Sequence, residues 1–249
     1  MKATAARQPF SSCSTAINRA AVGENRLLAA LSEEELRRLS VNLKPIRFKR
    51  GAILFRAGET VENCYLPLSG IISLLSNTAD GKALIIGMVG DEGLAGITGL
   101  LRPRVAPYEV MAQTEVYALR VKSNVLAAEF ARAGHFQQAV LRYFHLLLFQ
   151  ISQSAVCHRF HTVERRLARW LLVAADRLHS DEFSLTQKCL AHLLGVPRTN
   201  VTMTASQLQN KRMISYKYGK IKIVDRRGLE MAACECRAAV KRETDAFYQ

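Results

Sequence analysis

The sequence predicts an α+β protein in which an N-terminal antiparallel β-roll of jelly-roll type precedes a long helix and a C-terminal winged helix–turn–helix. Three observations support this fold class. Between 44 and 119, short β-prone runs alternate with glycines, which is typical of a compact antiparallel barrel or roll. From 127 to about 161 the chain lacks proline and carries an apolar seam at helical spacing. Between 184 and 225, two short helical patterns flank a tight turn and precede a basic hairpin.

These patterns divide the 249 residues into four parts. We expect a disordered lead-in at 1–24, a sensor domain resembling cyclic-nucleotide-binding β-rolls at 25–132, a dimerisation helix at 133–161, and a DNA-binding domain at 162–249. The lead-in has no apolar stretch long enough to be a secretory signal. A transit peptide is the less favoured alternative.

Composition restricts the class of protein further. The chain is 49% hydrophobic and 22% charged, which is typical of a soluble globular protein. No apolar run approaches the roughly 20 residues that a membrane helix requires, so we expect no membrane partner. The six cysteines lie mostly far apart in a chain that is large enough to fold without disulfides. They are therefore expected to be reduced, in a cytoplasmic protein.

Local signals place several elements of the roll. Ser32 and Glu35 form the pattern of a capping box, which predicts a short helix over 32–39. Asp80-Gly81 is a strong hairpin signal. The β-prone runs that we interpret as strands include 51–55, 65–70, 71–75, 84–88 and 110–119.

The long helix carries apolar residues on two sides. Its seam steps by three or four residues and consists of Leu141, Phe144, Leu148, Ile151 and Ala155. Further apolar residues at 146, 147 and 149 lie outside the seam. A helix of this kind must bury both sides, one on the roll and the other on a twin helix, which predicts a homodimer. The alternative is a core helix within a larger monomeric domain.

The stretch 184–225 predicts a reading head for DNA. Its first helix ends at Gly195, because glycine readily takes the positive φ of a helix terminus, and Pro197 suits the first turn of the second helix. That second helix, 198–209, has a buried face of Val201, Ala205 and Leu208. Its outer face carries Arg198, Thr199, Thr202 and Ser206. Such a helix fits a major groove and presents hydrogen-bonding groups to base edges.

The distribution of charge favours a DNA-binding helix pair over an ordinary helical hairpin with a solvated outer face. Residues 184–227 contain nine Lys and Arg against one Asp, whereas 51–130 contain six basic and eight acidic residues. Concentrated positive charge on a small domain is typical of nucleic-acid binders. The residues expected to contact phosphates from the hairpin are Lys211, Arg212, Lys217, Lys220 and Lys222.

In this order, the elements resemble the CRP/FNR family of bacterial transcription regulators. The likeness extends from about 27 to 230. It is carried in the roll by Gly51, Gly58, Leu68-Ser69-Gly70 and Gly81, and in the reading head by Leu185-Thr186-Gln187, Ala191, Leu194 to Val201, Leu208 and Met213-Ile214. The resemblance implies a homodimer joined through the long helix and bound to a palindrome in double-stranded DNA. It also implies RNA polymerase as a partner if the protein is an activator.

The resemblance assigns further roles in DNA binding. Arg198 matches the guanine-reading arginine of the family, Thr186 a phosphate-contacting threonine, and Gly219 and Lys220 the tip of the wing. The complete predicted DNA-binding set is Thr186, Gln187, Lys188, Arg198, Thr199, Thr202, Ser206, Lys211, Lys217 and Lys220. Family members commonly have Glu and Arg where this chain has Thr199 and Met203. The operator should therefore differ from the best-known ones.

The resemblance also locates a candidate ligand pocket. It comprises Gly93, Leu94, Gly96, Ile97, Arg102, Arg104 and Ser152. In cyclic-AMP sensors of the family, Glu holds the ribose and an Arg-Ser/Thr pair holds the phosphate. Here Leu94 and Ile97 follow the glycines, and Ala106-Pro107 occupies the Arg-Ser position.

A buried cyclic phosphate without its partner loses a charge-assisted pair worth about 2–5 kcal/mol. Arg102 and Arg104 are the candidate substitutes, and Ser152 is a candidate adenine-facing hydroxyl. A cyclic nucleotide is therefore the less favoured ligand, and we predict no cofactor. Another small ligand, or none, is favoured.

Other functions find less support. Cys157, His158 and His161 share a helical face and Cys234 lies near Cys236, but we interpret them as packed residues and predict no metal. Iron–sulfur members of the family cluster cysteines near the N-terminus, where this chain has only Cys13.

Oxidation of Cys189 near DNA is a further hypothesis. The sequence lacks a nucleophile elbow, a phosphate loop and an HExxH motif, so we expect no enzyme. The alternative function is a cyclic-nucleotide-binding module whose winged helix binds a protein.

Overall fold

The computed structural model describes residues 23–247. Two antiparallel sheets form the N-terminal β-roll. Its strands are β1 Lys44–Phe48, β2 Ile53–Phe55, β3 Asn63–Ser69, β4 Ile72–Asn77, β5 Ala83–Val89, β6 Glu109–Ala112 and β7 Val116–Lys122. One sheet has the order β1-β7-β3 and the other the order β2-β6-β4-β5. The α+β fold class is therefore confirmed. Most of the expected lead-in, 1–22, lies outside the described residues.

Short helices close the ends of the roll. They are α1 Arg26–Ala29, α2 Glu33–Ser40 and α3 Ser123–Phe130. The predicted capping box is present, because the Ser32 hydroxyl accepts from the backbone of Glu35 and the Glu35 carboxylate accepts from the backbone of Ser32. The same carboxylate accepts a 3.0 Å hydrogen bond from the backbone N–H of Phe136. It thereby fixes the start of the long helix.

The strand predictions are largely confirmed, with one correction. The Asp80-Gly81 turn joins β4 to β5, whose pairing ends at Asn77 and Ala83. The run 110–119, predicted as one strand, is divided between two sheets as β6 and β7. The division occurs because the chain forms a corner at Gln113–Glu115, where Gln113 donates to the Ile71 carbonyl and the Thr114 hydroxyl accepts from the Ile71 N–H.

The long helix α4, His135–Phe160, buries one face on the roll. Phe136, Tyr143 and Leu147 belong to the roll core, and the side chain of Gln150 accepts a 3.0 Å hydrogen bond from the Met88 N–H on β5. The predicted seam lies mostly on the exposed side. Ile151 is the exception, because it is half-buried against the roll core.

The C-terminal domain contains three further strands and five helices among the described residues. They are α5 Val163–Leu178, β8 Glu182–Ser184, α6 Gln187–Leu194, α7 Arg198–Asn210, β9 Ile214–Lys217, β10 Lys220–Ile223, α8 Arg226–Ala232 and α9 Cys236–Phe247. The strands form a sheet of order β8-β10-β9. The sequence predicts Thr162 as the N-cap of a helix that begins at Val163, and the structure confirms this. The predicted domain boundaries at 133 and 162 lie in the segments that precede α4 and α5.

The end of the chain requires a correction. The sequence predicts one helix from Asp225 toward Ala246. Asp225 does act as an N-cap, but α8 ends at Ala232 because Ala233 takes an extended conformation, with φ −73° and ψ 160°. The chain then turns into α9, which packs against α4. The break directs Cys234 and Cys236 into a buried cluster with Cys157.

The two domains share a hydrophobic core. Ile85 and Met88 of β5 belong to the same buried cluster as Trp170 of α5 and Leu193 of α6. A largely buried ion pair lies at one side of this junction, where Arg177 donates to Glu92 over 2.8 and 3.0 Å. Within residues 23–247, no helix combines the length and the apolar character needed to cross a bilayer.

Replacing Arg177 with Leu should lower the free energy of unfolding by about 3–5 kcal/mol, because it leaves the Glu92 carboxylate buried without its partner. Burial opposes ionisation of Glu92, but Arg177 outweighs this effect, so the pKa of Glu92 lies below its ordinary value. The pair therefore stabilises the fold above the ordinary carboxyl range and loses its effect as pH falls through the lowered pKa.

Urea unfolding across this pH range measures both effects. The Glu92→Leu/Arg177→Leu double variant is the control, and it should regain much of the lost stability. Additive losses in the double-mutant cycle would contradict the role of the pair.

Candidate nucleic-acid interface

The turn between α6 and α7 sets the angle of the helix pair. The Thr186 hydroxyl caps α6 by accepting a 3.1 Å hydrogen bond from the Cys189 N–H. Gly195 ends α6 with φ +61°, a conformation that costs any residue with a Cβ about 1 kcal/mol or more. Pro197 is the N-cap residue of α7. The predicted buried face of Val201, Ala205 and Leu208 is confirmed.

The outer face of α7 is exposed over its whole length. Arg198, Thr199, Thr202 and Ser206 all lie on it. Thr202 donates to the Arg198 carbonyl over 3.1 Å and accepts a 3.2 Å hydrogen bond from the Gln187 side chain of α6. This contact between two predicted DNA-binding residues was not foreseen. The helix therefore presents one guanidinium at its N-terminal end, followed by a line of hydroxyls.

The hairpin β9–β10 forms the wing. Tyr218 and Gly219 connect its strands with positive φ values of 53° and 76°, the pattern of a two-residue type I′ loop. Lys217 and Lys220 pair directly across this loop. Tyr218 is 93% exposed, and the Lys217 ammonium lies 5.3 Å from the centre of its ring. Sequence reasoning missed this aromatic residue, for which the Tyr-Gly step between two lysines is the available signal.

The seven Lys and Arg residues of the reading head, 184–225, fall into two groups according to their ion pairs. Lys211 pairs with Glu164 at 2.5 Å, and Lys222 pairs with Glu182. The others make no ion pair with residues 23–247, and they are Lys188, Arg198, Arg212, Lys217 and Lys220. Burial and the nearby Lys188 and Arg198 lower the pKa of His192. The surface around α6 and α7 is therefore electropositive, as phosphate binding requires.

Cys189 lies on the inner side of α6. Burial raises the pKa of its thiol to about 12, so very little thiolate exists at neutral pH. Because the thiolate is the reactive form, this environment argues against the hypothesis that oxidation of Cys189 regulates DNA binding.

The predicted ligand-pocket residues differ widely in their burial. Leu94 and Ile97 are buried in the roll core, and a Cβ at Gly93 would lie 2.3 Å from the ring of Tyr143. Arg102 is exposed on its loop, Arg104 is half-buried, and Ser152 is exposed on α4. Gly96 takes φ +90° and precedes a short 3₁₀ turn at Ile97–Leu100.

A cavity of about 280 Å³ lies between the roll and the C-terminal domain, where Glu92, Arg177, Trp170 and Lys241 contribute to its lining. None of the predicted pocket residues lines this cavity.

Comparison with protein families identifies both domains. Residues 45–133 match the cyclic nucleotide-binding domain family, and residues 165–232 match the Crp-like helix-turn-helix domain family. The chain belongs to the CRP/FNR family. This assignment confirms the resemblance inferred from the sequence and the prediction of a DNA-binding transcription regulator.

Individual CRP/FNR relatives are distant. The chain is 24% identical over 194 residues to the CRP-like cAMP-activated global transcriptional regulator of Mycobacterium tuberculosis, covering 75% of this chain and 87% of the relative. It is 22% identical over 186 residues to the global nitrogen regulator of a Nostoc species, covering 71% and 83%.

Two solved structures share the fold. The c-di-GMP responsive global regulator CLP of Xanthomonas campestris superposes with a TM-score of 0.65 at 17% identity, covering 77% of this chain and 99% of CLP. FixK2 of Bradyrhizobium japonicum superposes with a TM-score of 0.67 at 15% identity, covering 77% and 98%.

Replacing Thr186 with Ala should lower the free energy of unfolding by about 1 kcal/mol, because α6 loses its N-cap acceptor. Thr186→Ser keeps the hydroxyl and should change stability by only a few tenths of a kcal/mol. Urea unfolding of the two variants measures the difference. Equal stabilities would show that the hydroxyl does not cap the helix in solution.

Proposed function

We propose that the protein is a homodimer that binds an imperfect palindrome in double-stranded DNA and responds to a signal received by its β-roll. The observation that carries this proposal is the outer face of α7, on which Arg198 and three hydroxyls are exposed beside a basic wing. In a dimer, two such helices enter successive major grooves about 34 Å apart. Phosphate contacts from Lys188, Lys217 and Lys220 then position them.

Arg198 is proposed to read guanine. Its position at the start of an exposed helix suits a guanidinium that donates two hydrogen bonds to O6 and N7 of the base. Thr199, Thr202 and Ser206 follow on the same face and supply shorter hydrogen-bonding groups. Gln187 supports this face through its hydrogen bond to Thr202.

Replacing Arg198 with Ala should weaken operator binding by about 1–3 kcal/mol per half-site and relax the preference at one base pair. Binding sequences selected from random DNA, followed by band-shift titration, measure both effects. Lys122→Ala, which removes an exposed charge from the roll, is the control and should bind normally. Unchanged operator affinity and base preference in Arg198→Ala would remove the assigned role of this residue.

The seam of α4 supports the homodimer. Leu141, Phe144 and Leu148 are 54%, 45% and 56% exposed, and the apolar stripe continues through Val156 and Phe160, which are 45% and 72% exposed. Ala155 is also exposed within it. A contiguous apolar surface of this kind is typical of an interaction site. Its spacing along one helix fits packing against a second copy of the same helix.

Replacing Leu148 with Glu should convert the dimer into a monomer. Each chain would then place one carboxylate in the apolar interface between the two helices, where neither has a partner of opposite charge. Sedimentation equilibrium measures the change in mass. Val41→Glu places the same charge at an apolar residue that is 80% exposed on the roll, and it should leave the dimer intact. A wild-type chain that remains monomeric at all concentrations would refute the proposed assembly.

The proposed signal is not a cyclic nucleotide. The M. tuberculosis relative is named as cAMP-activated, but here Leu94, Ile97 and Ala106 occupy buried positions where ribose and phosphate partners are expected. A ligand of a different chemistry, or none, is proposed. We further propose that the chain is not an enzyme and that RNA polymerase is a partner if the protein is an activator.

A further inference from the structure

Four metal-binding side chains meet at the junction of the two domains. Cys157 and His161 are one turn apart at the end of α4, while Cys234 lies in the break between α8 and α9 and Cys236 begins α9. Their ligand atoms, three sulfurs and a ring nitrogen, all lie within 4.8 Å of one another. The three cysteines are buried, and the His161 side chain is only 9% exposed. The sequence reading of these residues as separate packed side chains does not account for this convergence.

The spacing of the four atoms fits a single tetrahedral ion. With Zn–S bonds of about 2.3 Å and Zn–N bonds of about 2.0–2.1 Å, tetrahedral geometry separates two sulfurs by about 3.8 Å and a sulfur from a nitrogen by about 3.6 Å. Here the Cys157 and Cys234 sulfurs are 3.5 Å apart, and the Cys236 sulfur is 3.5 Å from Nδ1 of His161. A polynuclear iron–sulfur cluster requires its cysteines to surround several metal ions, which this compact set does not do.

Neighbouring residues make hydrogen bonds to the four side chains of the kind that orient ligands in metal sites. Nε2 of His161 lies 3.1 Å from the Glu235 carboxylate, so Nδ1 is left to face the sulfurs. A carboxylate on the far side of a histidine ligand fixes its tautomer and orientation. The Gln153 side chain also donates a 3.1 Å hydrogen bond to the Cys236 sulfur. Thiolates at metal sites accept such bonds.

Buried positive charge beside the cluster requires a negative counterpart. Arg169 is 1% exposed, and its Nε and Nη1 have no hydrogen-bond partner among the described residues. The thiolate form of cysteine is the form that binds metals. Zn²⁺ bound by three thiolates and a neutral imidazole leaves one net negative charge, which compensates a buried guanidinium.

We propose that Cys157, His161, Cys234 and Cys236 form a tetrahedral Cys₃His site for Zn²⁺. The ion would connect the end of the long helix to the segment between α8 and α9, and so restrain the junction of α4 and α5 at His161–Thr162. This inference does not rest on DNA binding. A Cys157–Cys234 disulfide is the competing chemistry, but it would require the sulfurs to approach to about 2.05 Å and would leave His161 and Cys236 unexplained.

The test uses the full chain, purified anaerobically with reductant and then freed of metal. Titration with Co²⁺ should saturate at one equivalent per chain. It should give the d–d bands of a tetrahedral ion and thiolate-to-cobalt charge-transfer bands, both removed by one equivalent of Zn²⁺. Cys236→Ser should lose this spectrum. Cys189→Ser, which changes a buried cysteine outside the cluster, is the matched control and should retain it.

The Glu235→Gln variant tests whether the four side chains bind a metal ion or only pack against one another. Glu235 is largely exposed, so the variant should fold, but loss of the carboxylate on His161 should weaken Zn²⁺ binding about 10–100-fold. A zinc chelator should lower the Tm of the wild type and leave that of Cys236→Ser unchanged.

Four results would overturn the proposal. They are no stoichiometric binding of Co²⁺ or Zn²⁺, equal binding by Cys236→Ser, unchanged affinity in Glu235→Gln, and a Cys157–Cys234 disulfide in the anaerobically purified chain.

Discussion

The long helix α4 carries apolar residues on more than one side, and the need to cover them organises the rest of the molecule. Phe136 and Tyr143 are covered by the roll, and Cys157 near its end is covered by the segment around Cys234. The stripe from Leu141 to Phe160 remains exposed in the single chain. A helix with apolar residues on more than one side is stable only when other elements bury each of those sides. The roll and the C-terminal segment each cover one side, and the proposed second chain would cover the exposed stripe.

The same helix contacts both the roll and the reading head. Gln150 accepts from the Met88 N–H of β5. The ring nitrogens of His158 lie 2.7 Å from the Ser154 carbonyl on α4 and 3.2 Å from the Leu193 carbonyl on α6. Because β5 and α6 also share a hydrophobic core, a shift of the roll would displace the helix pair. A signal can act through these contacts only if it binds two arrangements with different affinities.

Features encoded within a few residues were predictable from the sequence. The capping box of Ser32, the N-cap at Thr162 and the turn at Asp80-Gly81 each depend on neighbouring side chains and backbone groups. The features that sequence reasoning missed depend on long-range packing. The Phe136 N–H reaches a carboxylate 101 residues away, and Cys157 meets Cys234 across 77 residues. No local period records such contacts. The helix break at Ala233 brings Cys234 to Cys157, and neither a proline nor a glycine marks this break in the sequence.

Charge and shape contribute differently to the reading head. Lys211 and Lys222 are held in exposed ion pairs, but such pairs are worth only about 0–1 kcal/mol, so a phosphate can replace the carboxylate and release counterions. In the proposed complex, these lysines would add affinity for any DNA sequence. Selectivity would then come from Arg198 and from the exposed face that follows it. Met203 is 64% exposed on α7. A second arginine at this position would select guanine, whereas the methionine side chain can make an apolar contact with the methyl group of thymine. The preferred half-site should therefore contain a guanine at one position and a thymine at a neighbouring position.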